Sequence, residues 1–211
     1  MLRIRIDDLK LFRRCLIGVI LAAGGCVILR TINFAVLRSQ LPGEIKSHEA
    51  ALSVEREVGY KPGQPIIVEF LDFQCSPCRQ LWPSAKDFRR IHPEIRWVLV
   101  NYPLPVHPDA FAAAVCFSIA RRFGQGEAMA EHLMSDKVSL STSSLNTDLA
   151  RMGLKRLVGL PQAATFESQV LREVRLAKAI GVRGTPSLFV LSKTGVLTEI
   201  HSLDAAELFL K

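Results

Sequence analysis

Cys75-Ser76-Pro77-Cys78 sets two thiols two residues apart at the start of a helical pattern, a spacing suited to disulfide exchange. At a helix N-terminus, unpaired backbone N–H groups and the helix dipole favour an anion, so Cys75 is expected to act as the attacking thiolate. Cys78, one turn further in, is within reach to close a disulfide and is expected to resolve the mixed species that Cys75 forms. Pro77 suits the first helical turn, where its missing N–H costs nothing, and it limits motion between the sulfurs. The competing use of such a pair is half a zinc site, which needs a second Cys/His pair at ligand spacing. Cys116 lies far along the chain in the apolar helical run Ala112-Ala113-Ala114-Val115-Cys116-Phe117 and reads as a buried, inert thiol. No metal is expected.

The elements that must position the pair are legible around it. Ile66–Phe73 is a mostly continuous apolar run bounded by Pro65 and reads as a central strand. Cys75–Ile91 reads as a helix, with Leu81, Trp82, Ala85 and Phe88 at helical spacing and Pro83 expected to kink it. Ile95–Leu104 is a second strand. Asp109–Arg122, Glu127–Met134, Ser144–Met152 and Pro161–Ile180 read as helices, with Gly181 ending the last. Ser187–Leu191 and Val196–His201 form a hairpin around Lys193-Thr194-Gly195, and Asp204–Leu210 is a short closing helix. Helices interrupting such a strand–helix frame predict an α/β domain with an all-α insertion.

Glu69 stands inside the first apolar strand, six residues before Cys75. A carboxylate buried there is costly unless it has a purpose; the other reading is an edge-facing Glu in water. Asp72 is expected at the surface. Trp82 is expected in the core, and His92, His132 and His201 at the surface or as satisfied helix residues.

At 211 residues the chain has room for one domain with a sizeable core. The formal charge of +7 is scattered, with no basic run interleaved with aromatics, so nucleic acid is not an expected partner. Arg3, Arg5, Lys10, Arg13 and Arg14 precede the apolar run Cys15–Leu29, and apolar residues continue to Leu37. Residues 15–37 are therefore read as a transmembrane signal anchor, oriented with the basic residues 1–14 inside. A cleaved signal peptide ending at Ala22-Ala23-Gly24 and a lipoprotein built on Cys26 compete with it. Each places the remainder outside the cytoplasm, in the periplasm or at the cell surface, where disulfides persist. Residues 38–64 are expected to be a polar connector with a short amphipathic helix around Ser47–Val58.

Val68-Glu69-Phe70 before Cys75, Pro83 after Cys78 and Gly184-Thr185-Pro186 near the C-terminus together resemble the thioredoxin superfamily. Tyr102-Pro103-Leu104-Pro105 with His107-Pro108, followed by a long helical stretch, resembles its DsbA-like branch, a thioredoxin fold carrying a helical insertion. The resemblance covers Pro65 to the end. It implies a thioredoxin-like domain over residues 65–106 and 181–211 and a helical insertion over 107–180. It implies that Glu69 carries a proton to or from Cys78 and that the Thr185–Pro186 bond is cis. It further implies that Thr185 pairs with an extended client segment beside Ser76 and Pro77. His107 matches the branch as a positional residue. No cofactor is expected beyond the Cys75–Cys78 disulfide itself.

The resemblance implies a thiol:disulfide oxidoreductase acting on exported, cysteine-containing clients. As an oxidase it is reoxidised by a quinone-coupled membrane partner of the DsbB or vitamin-K-epoxide-reductase type; as a reductase or isomerase it is fed by a membrane thiol reductant. A non-catalytic client-binding chaperone is the third reading. Gln74 stands where thioredoxins carry an aromatic residue, and the Ser-Pro dipeptide leans toward a reductase while the fold leans toward an oxidase. A monomer is expected.

Overall fold

The computed structural model describes residues 43–154 and 161–209. In chain order these form β1 (Gly43–Ile45), α1 (His48–Val58), β2 (Ile66–Leu71), α2 (Ser76–Ile91), β3 (Arg96–Asn101), α3 (Ala110–Arg122), α4 (Gly126–Leu133), α5 (Thr142–Arg151), α6 (Pro161–Ala179), β4 (Ser187–Leu191), β5 (Leu197–Ile200) and α7 (Leu203–Phe209). The strands make one sheet in the order β1-β5-β4-β2-β3. Only the β2–β3 pair is parallel; β4 and β5 form the expected hairpin and return antiparallel to β2.

β2 lies inside this sheet with all six residues buried, which is why it reads as an unbroken apolar run rather than an alternation. Strand parity divides its side chains. Ile66, Val68 and Phe70 pack with Ala51, Val54 and Val58 of α1 and Ala177 of α6. Ile67 points the other way, toward Phe88 of α2 and Ala205 and Ala206 of α7. Glu69 and Leu71 share that parity, so the sheet delivers the carboxylate to the side covered by α2.

Both strands stop short of their expected ends for identifiable reasons. After Leu71 the chain turns: Asp72 accepts from Gln74 N through Oδ1 (2.7 Å) and from Cys75 N through its carbonyl (3.1 Å). After Asn101, Pro103 and Pro105 cannot donate to a ladder. The helix of α2 runs unbroken from Ser76 to Ile91 through Pro83. The part of the expected connector that is described belongs to the domain rather than spacing it. β1 pairs with β5, and α1, capped by Ser47 Oγ and closed by Gly59 at φ 63°, buries Ala51, Val54 and Val58 against the sheet.

α3, α4 and α5 build a second core around Phe117, Met129, Leu133, Leu145 and Leu149, which reaches back to Cys78 and Trp82. α6 serves both cores. Phe166 joins the inserted helices, while Ala177 and Ile180 join the sheet. Glu173, 1 % exposed, ties α6 to β3 by accepting from Asn101 N (2.9 Å) and Asn101 Nδ2 (2.6 Å), and to α3 by accepting from Arg121 Nη2 (2.6 Å). The basic N-terminal stretch, the signal-anchor run with Cys15 and Cys26, and the connector before Gly43 lie outside the described residues. Among the described residues no helix is long and apolar enough to cross a membrane.

Candidate active site

Cys75 is the N-cap residue of α2, in an extended backbone conformation that releases the chain from the turn at Asp72 into the helix. Cys78 follows one turn later. Both are thiols in this structure and both are buried, Cys78 completely, while Ser76 and Pro77 between them face solvent. Desolvation pushes the Cys78 thiol well up, with the Cys75 and Glu69 charges adding in the same direction. A proton is therefore strongly held on the inner sulfur.

Gly184-Thr185-Pro186 lies directly across from the outer sulfur. The Thr185–Pro186 peptide is cis, and the Thr185 carbonyl accepts a hydrogen bond from Cys75 Sγ at 3.2 Å. Ser187 Oγ donates to the Gly184 carbonyl (2.9 Å) and fastens the loop to the start of β4. The Thr185 hydroxyl is buried against Cys78 and favours its ionised form, opposing the desolvation of that thiol.

Glu69 is fully buried on β2, as one of its two sequence readings requires. Its Oε2 accepts from Trp97 Nε1 at 2.9 Å. Desolvation raises its pKa to about 7, against the lowering by the Trp97 bond and the Arg89 charge. A carboxyl group in that range exchanges its proton at neutral pH. Trp82 is buried, with its Nε1 donating to Glu131 Oε2 (2.8 Å).

Asp72 departs from its expected surface position. It is 2 % exposed and organises the loop before Cys75. Besides holding Gln74 and Cys75, its Oδ2 accepts from Leu104 N (2.8 Å) and lies 2.7 Å from His107 Nδ1. Gln74 adds a parallel tie, its Oε1 accepting from Asp109 N (2.9 Å). His107 is thus positional, as its sequence context implies. The signal for Asp72 was local: an acceptor side chain two residues before a backbone N–H in a turn is a common device. That the same carboxylate meets the chain after β3 is a tertiary fact.

Cys116 is buried in the inserted helices, with its thiol pushed up by burial to about 12. His132 lies 3.0 Å from Asp148 on the helical side, and His92 sits on Phe88 between Glu94 and Glu207. Among the described residues no group of three or more His, Cys, Asp or Glu is placed to hold a metal ion.

No protein-family model matches the chain, and no curated protein matches it in sequence. Solved structures do match in fold. The catalytic domain of Proteus mirabilis ScsC superposes with TM-score 0.57 at 17 % identity, over 76 % of this chain and 94 % of that one. The thiol-disulfide exchange protein alpha-DsbA2 from Wolbachia pipientis gives 0.58 at 17 %, over 76 % and 92 %. A thioredoxin-like oxidoreductase from Silicibacter pomeroyi gives 0.57 at 22 %, over 74 % and 94 %. The chain has a thioredoxin-like fold with a helical insertion, similar to the fold of these proteins.

Proposed function

We propose that this chain is a thiol:disulfide oxidoreductase whose Cys75–Cys78 pair exchanges disulfides with client proteins. The observation that carries the reading is the seating of Cys75 Sγ 3.2 Å from the Thr185 carbonyl, with Cys78 buried one turn behind it and Glu69 beneath. In the oxidising direction a client thiolate attacks Cys75 Sγ of the enzyme disulfide. The S–S bond breaks, and Cys78 leaves as a thiolate and takes a proton from Glu69. A second client thiolate then attacks the client sulfur of the mixed disulfide, and Cys75 leaves. The client loses two electrons and gains a disulfide; the enzyme gains two and ends with Cys78 as a thiol and Cys75 as a thiolate that takes its proton from solvent. Thr185 and Pro186, beside Ser76 and Pro77, offer the backbone and surface against which an extended client segment lies.

The direction we favour is oxidation of exported clients. The apolar run after a basic N-terminus supports a membrane-anchored protein with its domain outside the cytoplasm. The reoxidising partner is then a quinone-coupled membrane enzyme, and the domain works as a monomer. The deciding experiment equilibrates the cysteine pair in graded glutathione buffers. A potential near about −120 mV identifies an oxidase, and one near about −270 mV a reductase fed by a membrane thiol donor. Failure to form any reversible disulfide overturns the catalytic reading in favour of client binding without turnover.

A further inference from the structure

Arg89 of α2 lies over two indoles, its guanidinium carbon 4.7 Å from the Trp82 ring centre and 5.8 Å from that of Trp97. Its Nε donates to the Ala85 carbonyl (3.3 Å), and its Nη1 reaches Glu127 Oε2 of α4 at 3.0 Å. The remaining nitrogen, Nη2, is buried with no acceptor. At the Nε1 edge of the same Trp97 indole, Glu69 Oε2 accepts from Nε1–H, while its Oε1 is buried with no donor. One orphaned cationic donor and one orphaned carboxylate acceptor thus meet at a single ring. Leaving either unpaired in the interior is costly, and the two are chemically complementary.

We propose that Arg89 is the positioning residue for Glu69: held between Trp82 and Trp97 and tethered to the inserted helix by Glu127, its guanidinium supports the ionised form of the carboxyl group once the proton has passed to Cys78. A planar guanidinium over aromatic rings holds its charge in place there, so it acts on the carboxyl group through the field rather than through a direct hydrogen bond. The cation also opposes the desolvation of Glu69. The other groups around Glu69 do not supply this charge. α2 presents Cys78, which is anionic or neutral. β3 presents Trp97 and the register partner Leu99, and β4 the register partner Leu188. Arg89 faces solvent through a cleft of about 500 Å³ that it lines with Lys86, Trp97 and Glu127.

This inference deepens the reading of Glu69 as the proton carrier. The test follows the infrared carboxyl band of protonated Glu69, assigned by its loss in Glu69→Gln, across pH in the reduced full-length protein. Arg89→Met is expected to move the midpoint upward by about one pH unit or more, roughly tenfold in proton affinity. Arg89→Lys, which keeps the charge, is expected to restore most of the shift. If the Met variant loses its tryptophan near-ultraviolet signal, Arg89→Gln carries the same expectation, because it keeps an amide donor and loses only the charge. An unchanged midpoint in the neutral variants, or an equal shift in Arg89→Lys, overturns the proposal. Glutathione titration of the same samples reads the cysteine pair separately. A missing disulfide with the shift present removes the oxidoreductase and leaves the role of Arg89 standing.

Discussion

Asp72 Oδ2 and His107 Nδ1 lie 2.7 Å apart, joining the loop that precedes Cys75 to the loop that opens the helical insertion. The carboxylate also accepts from Gln74 N and Leu104 N, so one buried side chain holds three points of the chain, and the Asp72 carbonyl holds a fourth by accepting from Cys75 N. Asp72→Ala leaves the amides of Gln74 and Leu104 without their acceptor, and each buried orphan costs about 1–3 kcal/mol. We expect a loss of at least about 2 kcal/mol in urea unfolding. Mixed-disulfide formation at Cys75 should slow even where the protein remains folded. A variant of wild-type stability and reactivity would show that the loop holds itself.

Glu69 makes stability depend on pH in a defined window. Its folded pKa of about 7 lies above its ordinary value of 4.5, so the native state keeps a proton that the unfolded chain has released. Stability from this group is complete below about pH 4.5, falls as pH rises, and is lost above about pH 7. Glu69→Gln keeps an acceptor for Trp97 Nε1 and removes the buried charge. It is expected to be the more stable protein at pH 8, by on the order of 3 kcal/mol, with the advantage vanishing toward pH 4. Denaturant midpoints measured across pH in the reduced state check this; parallel curves for the two proteins would contradict it.

The three described thiols should differ sharply in reactivity. Burial pushes Cys78 well up and Cys116 to about 12, so neither offers an appreciable thiolate at pH 8. Brief alkylation of the reduced native protein, mapped by peptide mass, should label Cys75 and leave Cys78 and Cys116 unlabelled until denaturant is added. Prompt labelling of Cys78 would place the attacking sulfur at the wrong position.

Glu173 anchors α6 to β3 through Asn101 and to α3 through Arg121. Glu173→Ala removes one partner from a buried charged network and is expected to cost about 3–5 kcal/mol. Because the network lies on the β3 side of the sheet, the equilibrium potential of the cysteine pair should stay close to wild type. A large change in potential with little loss of stability would reverse that assignment.

Local patterns in the chain determined much of this protein. The spacing of Cys75 and Cys78 at a helix start, the apolar run of β2 with Glu69 inside it, and Gly184-Thr185-Pro186 before β4 were legible because their signals lie within a few residues of one another. Helix existence was equally legible, since apolar periodicity and caps such as Ser47 and Gly181 act locally. Tertiary structure alone decided the partners. Nothing near Asp72 in sequence announces Leu104 or His107, and nothing near Glu69 announces Trp97 or Arg89, because each meeting depends on sheet order and on which face of β2 lies beneath α2. The burial of Asp72 and the place of β1 and α1 in the domain were misread for the same reason. A polar residue in a loop and a short polar connector look solvated until distant segments close over them and satisfy their backbone groups.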